Sequence, residues 1–259
     1  MKKIIALLMV VAMLFCFAGC GEAKPDSEYV KGKGKLVVGI TNFEPMDYEE
    51  VEGSGEWIGF DADMAKLFAE KLGVEVEFVE INWDKKAAEL EGKSIDCVWN
   101  GMTLTDDVKA AMDCSKPYCN NAQIVIVPAN KAEQYNTKES LKDLKFAVEK
   151  GSAGEEMAKE NEFEFIQVDK QAKALMEVAA GTSDAAIIDS LMAAAMVGEG
   201  TAYADLTYTV GLNSEEYGVG FRKGSDLVEE LNKFFEECIE DGTMDDIAEK
   251  YGVTAALIK

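Results

Sequence analysis

The chain has 259 residues, 48% hydrophobic and 29% charged, the balance of a globular protein long enough to build two lobes. Its formal net charge is -23, and so acidic a surface repels phosphate backbones, which sets nucleic acid aside as a partner. There is no histidine, so Ser-His-Asp and Cys-His nucleophile pairs and histidine-ligated zinc are excluded, and Arg222 is the only arginine.

Lys2 and Lys3 precede an apolar run, Ile4 to Ala18, that is short for a membrane span and has the layout of a secretory signal. Phe17-Ala18-Gly19-Cys20 resembles the bacterial lipoprotein lipobox, with Phe17 where leucine is usual. That resemblance implies a signal peptide over 1–19, cleavage before Cys20 and lipidation of its thiol; an ordinary signal beside an incidental cysteine is the alternative. Residues 20–34 are polar and aperiodic, with Pro25, Gly32 and Gly34, and predict a flexible tether. The result is a protein anchored at the membrane, outside the cytoplasm, rather than crossing the bilayer. Cys97 and Cys238 lie in apolar patterns that predict free buried thiols, while pairing of Cys114 with Cys119 stays open.

Strand and helix signals then alternate. Lys35 to Ile40 reads as a strand, Asp61 to Leu72 as a helix closed by Gly73, Val74 to Phe78 and Ile95 to Trp99 as strands, and a helix opens near Asp106. Gln123 to Val127 is a strand. A second series follows: strand Lys145 to Val148, helix Ser152 to Asn161, strand Phe163 to Gln167, helix Gln171 to Ala180, strand Asp184 to Ile188 and helix Leu191 to Gly198. Strands at Leu206 to Val210 and Tyr217 to Phe221 precede two closing helices, the first striped by Leu227, Leu231, Phe234, Phe235 and Cys238. Such alternation predicts an α/β class with largely parallel sheets.

Three segments bear on chemistry. Gly59-Phe60-Asp61-x-Asp63 places carboxylates at a helix start, where they complement the dipole. Ser94 to Thr105 ends a strand and opens toward a helix beside Asn100 and Thr103, a place where free N–H groups bind carboxylates or carbonyls. Asp189 follows an apolar strand and has two readings, a carboxylate facing a crevice to hold an ammonium group, or an N-cap for the helix after it.

Taken in order, Gly59-Phe-Asp-Ala-Asp63, Trp99-Asn-Gly-Met-Thr-Leu-Thr105, Asp113-Cys-Ser-Lys-Pro-Tyr118, Gly151-Ser152, Gly181-x-x-Asp184-Ala185 and Tyr217-Gly-Val-Gly-Phe-Arg-Lys-Gly224 resemble the family 3 bacterial extracellular solute-binding proteins, the polar amino acid receptors of ABC importers. The resemblance implies an α/β, two-lobed periplasmic-binding-protein-like fold (type II) with two hinge-crossing strands and ligand in the interlobe cleft. It divides the chain into 35–126 (first part of lobe one), 127–211 (lobe two) and 212–259 (remainder of lobe one). By the same resemblance Phe43 matches the aromatic wall, Trp57 the bulky residue before Gly-Phe-Asp, and Asn100, Gly101 and Thr103 the polar strand end that bonds ligand. Ser152 matches the second-lobe contact and Asp189 the acid that grips an α-ammonium group. Core packing is the other reading of Phe43 and Trp57. One match fails: Val108 stands where the family carries a carboxylate-binding arginine, and a valine has no bidentate fork. Backbone N–H groups at Thr103 and Ser152 with the Asn100 amide, Lys109, or a different ligand class would have to compensate.

The expected function is delivery of a small solute, an amino acid, to an ABC transporter permease by a lipid-anchored monomer that needs no cofactor or metal. A cleft enzyme on the same fold, dehydratase-like, and a ligand-sensing module are the competing classes. The acidic surface favours neutral or cationic ligands.

Overall fold

The computed structural model describes residues 24–259, so the expected signal peptide over 1–19 and the expected lipidation site, Cys20, lie outside the described residues. From the N-terminus the strands are β1 (Lys35–Ile40), β2 (Tyr48–Glu49), β3 (Trp57–Ile58), β4 (Glu75–Glu80), β5 (Cys97–Thr103), β6 (Asp113–Cys114) and β7 (Cys119–Asn121). Then come β8 (Gln123–Pro128), β9 (Lys145–Glu149), β10 (Glu164–Val168), β11 (Ala185–Asp189), β12 (Leu206–Gly211) and β13 (Glu215–Phe221). They form two main sheets. One has the order β4-β1-β5-β13-β6 with β7 also on β13; the other has the order β10-β9-β11-β8-β12.

Both sheets have a parallel heart. β1 pairs in parallel with β4 and β5, and β9 with β10 and β11. Central strands such as Lys35–Ile40 and Ala185–Asp189 are buried on both faces, which is why they read as unbroken apolar runs rather than alternating ones. The antiparallel members, β8 and β13, belong to the segments that run between the sheets.

The helix Phe60–Leu72 lays Phe60, Met64 and Phe68 on the first sheet, and the helix Leu227–Glu240 lays Phe234 and Phe235 beside them. Trp99 joins their rings, with centroids 6.2 Å from Phe68 and 5.6 Å from Phe235. The second sheet has its own cluster, centred on Phe146 stacked on Phe163 at 4.6 Å with Val125, Val127, Val148 and Ile187 around it.

Two boundaries differ from expectation. Residues 123–126, assigned by resemblance to lobe one, are hydrogen-bonded in the second sheet, because Gln123 already pairs with Asp189. The first crossing is thus at Ala122, and the second spans Leu212 to Ser214. Within 20–34, Asp26–Lys33 is a docked helix rather than tether. Val30 is fully buried with Tyr29 packed beside it, and two polar locks hold the helix: Ser27 with Asp226 (N–H to Oδ1 2.9 Å), and Asp26 with Arg222 at 3.0 Å. Eight residues with so little apolar content carry no periodic signal, so only these long-range partners give the segment its helix. Arg222 also donates to the Ile95 carbonyl at 2.7 Å and pairs with Asp96 at 3.3 Å, so the lone arginine is a clamp on the first lobe.

Cys97, Cys114, Cys119 and Cys238 are free thiols. Cys114 and Cys119 stand opposite Gly220 and Tyr217 on the same strand, β13.

Candidate functional site

A cavity of about 280 Å³ lies between the two sheets, and both lobes line it. The first lobe supplies Thr41, Phe43, Trp83, Lys86, Asn100 to Thr103 and Val108; the second supplies Glu149, Gly151 to Ala153, Gln171 and Asp189. Strand ends and helix starts converge there, as expected for open α/β sheets.

Asp189 is the last residue of β11 and is buried at the foot of the cavity. It precedes the helix Ser190–Met196, but its side chain does not cap it. Instead Oδ1 accepts from the Gln123 amide at 2.9 Å and the Tyr217 hydroxyl at 2.7 Å, with the Asn121 amide on the same oxygen and the Gln171 amide on Oδ2. Of its two readings, the crevice-facing one is the geometry found. Tyr217 is a first-sheet residue and Asn121 and Gln123 flank the first crossing, so the acid sits where the lobes meet. Glu215 lies against the same amides, 2.6 Å from Asn121 and 2.8 Å from Gln123. Burial, then the Glu215 charge, push Asp189 up to about 7, against the pull of its donors.

Above it, β5 carries the strand-end residues. Asn100, Gly101 and Thr103 all line the cavity, yet their polar groups are largely used inside the protein. The Asn100 amide accepts from Thr41 N–H at 2.9 Å and Thr41 hydroxyl at 2.7 Å, and donates to the Thr41 carbonyl at 3.0 Å and to Asp47 at 2.8 Å. Gly101 N–H donates to Asp61 at 2.6 Å, and Thr103 hydroxyl donates to Glu215 at 2.8 Å. The Asn100 side chain is therefore not the carboxylate holder that the missing arginine seemed to require. Gly101 has φ +53°, and a Cβ there would lie 2.4 Å from the Phe43 ring, so glycine lets that ring close the cavity wall.

Phe43 is buried on that wall, edge-on to Tyr217 with centroids 6.4 Å apart. Trp57 is elsewhere: it pairs with Glu49 in the β2–β3 hairpin and does not line the cavity. The second aromatic wall is Trp83, which the sequence reading missed because it lies in a single 3₁₀ turn with no periodicity. Lys86 follows, its ammonium 4.6 Å from the Trp83 ring centroid and donating to the carbonyls of Trp83 (3.2 Å) and Gly151 (3.0 Å). Burial pulls its pKa down, and Glu149 and Glu156 oppose that. Val108 is a cavity-wall residue packed with Trp83, Met102 and Met112, whereas Lys109 is exposed and outside this cavity.

On the second lobe Ser152 caps the helix Ala153–Glu160, accepting from Glu155 N–H at 3.2 Å and donating to the Glu149 carbonyl at 2.8 Å. Ala153, the first residue of that helix, also lines the cavity, and its N–H is one of the first-turn donors that the helix itself does not use. Gly151, at φ +74°, touches the other lobe: a Cβ there would lie 2.7 Å from Asp84 Cα. Lys150 pairs with Asp84 at 2.8 Å, and Lys170 pairs with Glu80, so ion pairs join the lobe edges. The cavity's charged lining is Asp84, Asp107, Glu149, Glu156 and Asp189 against Lys86 and Lys159, an excess of negative charge. Among the described residues no cluster of His, Cys, Asp or Glu is arranged to hold a metal ion, and no helix is long and apolar enough to cross a membrane.

This architecture has well-matched relatives. The chain is 31% identical to the arginine-binding extracellular protein ArtP of Bacillus subtilis (strain 168), an alignment covering 97% of this chain and 98% of that one. A solved ancestral arginine-binding protein bound to arginine is 33% identical, with a TM-score of 0.75 over 84% of this chain and 98% of that one. The solved ancestral amino acid-binding protein AncCDT-1, a precursor of cyclohexadienyl dehydratase, is 32% identical, with a TM-score of 0.79 over 87% and 98%. The two-lobed type II fold of such binding proteins is therefore the fold of this chain, with its cavity between the lobes. The profile of the bacterial extracellular solute-binding proteins, family 3, matches residues 36–254, and the chain belongs to that family.

Proposed function

We propose that this protein is the extracytoplasmic substrate-binding component of an ABC importer and that its solute is an α-amino acid with a neutral or cationic side chain. The observation that carries this is Asp189, a buried acid at the foot of the interlobe cavity with four donors fixing it. Such an acid is placed to receive an ammonium group. The helix start at Ser152 and Ala153, on the same wall, offers N–H groups to a carboxylate, whereas the first lobe's arginine, Arg222, is committed to Asp26 and Asp96 away from the cavity. Phe43 and Trp83 form apolar walls for the ligand's carbon skeleton. The acidic lining disfavours anionic side chains. Lobe closure around the ligand follows the hinge repertoire of two-lobed proteins, with the crossings at Ala122 and Leu212 to Ser214 as hinge. Anchoring through lipidated Cys20 and a monomeric state complete the proposal.

A thermal-shift screen of residues 21–259 against the amino acids, polyamines, short peptides and sugars tests it, since a ligand that binds only the folded state raises the melting temperature. Shifts with one or a few neutral or basic amino acids are expected. Shifts confined to compounds without an α-carboxylate would overturn the amino acid assignment, and tightest binding of glutamate or aspartate would overturn the charge assignment.

An enzymatic reading draws on one observation: burial, then the Asp189 charge, push Glu149 up to about 8, so the cleft contains a carboxyl still protonated at neutral pH. Recovery of the bound amino acid chemically unchanged after prolonged incubation is the outcome expected of a receptor.

A further inference from the structure

Four donors surround Asp189, three on Oδ1 and one on Oδ2, which keeps a lone pair for an ammonium group. Glu149 is different. It is the last residue of β9, 3% exposed, and it lines the same cavity. Its Oε1 has no hydrogen-bond partner among the described residues. The lysine on the facing wall, Lys86, already gives its ammonium to two carbonyls. The cavity's other acids are placed differently. Asp84 is paired with Lys150, Asp107 is exposed to solvent, and Glu156 is half-buried beside the Thr105 hydroxyl at 3.5 Å. A buried carboxylate lacking a partner costs of order several kcal/mol if ionised, so it persists where a ligand completes it or a proton neutralises it.

We propose that Glu149 is the specificity-determining residue of this site, its free oxygen accepting a hydrogen bond from the cationic side chain of a basic α-amino acid whose ammonium group sits at Asp189. The assignment rests on the receptor reading and narrows it from neutral or cationic side chains to cationic ones. The groups that face Glu149 set its titration: Asp189 and Asp169 hold the proton on, while Lys86 and the Gln171 amide favour the anion. Burial dominates, so at pH 7 the ligand-free carboxyl keeps its proton, with a pKa of about 8. A cationic side chain arriving at Oε1 stabilises the carboxylate, and the O–H proton leaves to the buffer. A neutral side chain leaves that proton in place.

Calorimetric titration of the protein with arginine, lysine and glutamine at pH 7, in two buffers of different ionisation enthalpy, reads both effects. Wild type should bind arginine or lysine about tenfold or more tighter than glutamine, and should release more protons with the basic ligands than with glutamine, whose ammonium group displaces only the proton of Asp189. Glu149→Gln should lower basic amino acid affinity by about tenfold or more, reduce the proton release with basic ligands to that seen with glutamine, and leave glutamine affinity within about threefold. Its ligand-free melting temperature should equal or exceed that of wild type, which shows that it is folded; Glu149→Leu, of similar volume, repeats the test should Gln fail to fold. Unchanged preference for basic ligands in the variant, or a wild type that binds glutamine as tightly as arginine and lysine, overturns the role of Glu149 while leaving the receptor reading intact. Binding of no amino acid at all overturns the receptor reading and the Glu149 assignment with it.

Discussion

Asp47 and Asp61 in the first lobe, and Glu149 and Asp189 in the second, are all buried carboxylates that burial lifts well above the usual range. Among the described residues, Asp47, Asp61 and Glu149 each keep one oxygen without a hydrogen-bond partner. Yet only the second-lobe pair lines the cavity. Asp61 is committed to Gly101 N–H and the Tyr118 hydroxyl, and Asp47 to the Asn100 amide, so the first-lobe acids hold the end of β5 in place from behind. The end of β5 that they support offers backbone beside the Phe43 ring; the buried acids that line the cavity come from the opposite lobe. A raised pKa therefore records burial in both lobes, and what lies on the far side of the carboxylate separates a fastening from a binding group.

The same Asp-to-Asn change made in both lobes should give opposite phenotypes. Asp189→Asn, which removes the negative charge from the foot of the cavity, should weaken amino acid binding by about 2–5 kcal/mol, roughly thirtyfold or more, measured by calorimetry. Retention of wild-type affinity would remove Asp189 from the site.

Gly151→Ala should have the next largest effect. Its φ of +74° and the 2.7 Å approach to Asp84 Cα place the added methyl between the lobes. The backbone term of about 1–2 kcal/mol applies whether the lobes are apart or together. The clash applies only when they meet, so affinity should fall about tenfold while the ligand-free melting temperature falls modestly. Equal losses in both would show that the lobes do not separate.

Asp61→Asn should change pH dependence rather than affinity. An acid raised from 3.8 to about 7 binds more protons folded than unfolded, so its contribution is fully present below about 3.8 and is lost as pH rises through 7. The ligand-free melting temperature should fall between pH 4 and pH 8, and Asp61→Asn should make that fall shallower while keeping amino acid affinity within about threefold. A slope identical to wild type would mean that Asp61 is already ionised at low pH in the folded chain.

Much of this was legible before any coordinates. Unbroken apolar runs at Lys35–Ile40 and Ala185–Asp189 follow from burial on both faces, and the stripe Leu227, Leu231, Phe234, Phe235 and Cys238 from burial on one. Period and burial are properties of neighbouring residues, so the sequence shows them. The ordered motifs likewise located Phe43, Gly101, Ser152 and Asp189, all of which line one cavity. Trp57, Trp83 and Lys86 were not legible in the same way. Nothing local distinguishes Trp57 in a hairpin from Trp83 on a cavity wall; the distinction is which surface the opposite lobe covers. The spare valence of Glu149 and the full one of Asn100 are equally invisible, because their partners lie far off in the chain or, for Glu149 Oε1, are absent among the described residues. The helix Asp26–Lys33 exists for the same reason, fastened by Arg222 and Asp226 almost 200 residues later. Local periodicity dictated the α/β alternation, whereas satisfaction of buried polar groups, which is settled only when distant segments meet, decided which acids fasten the fold and which face the ligand.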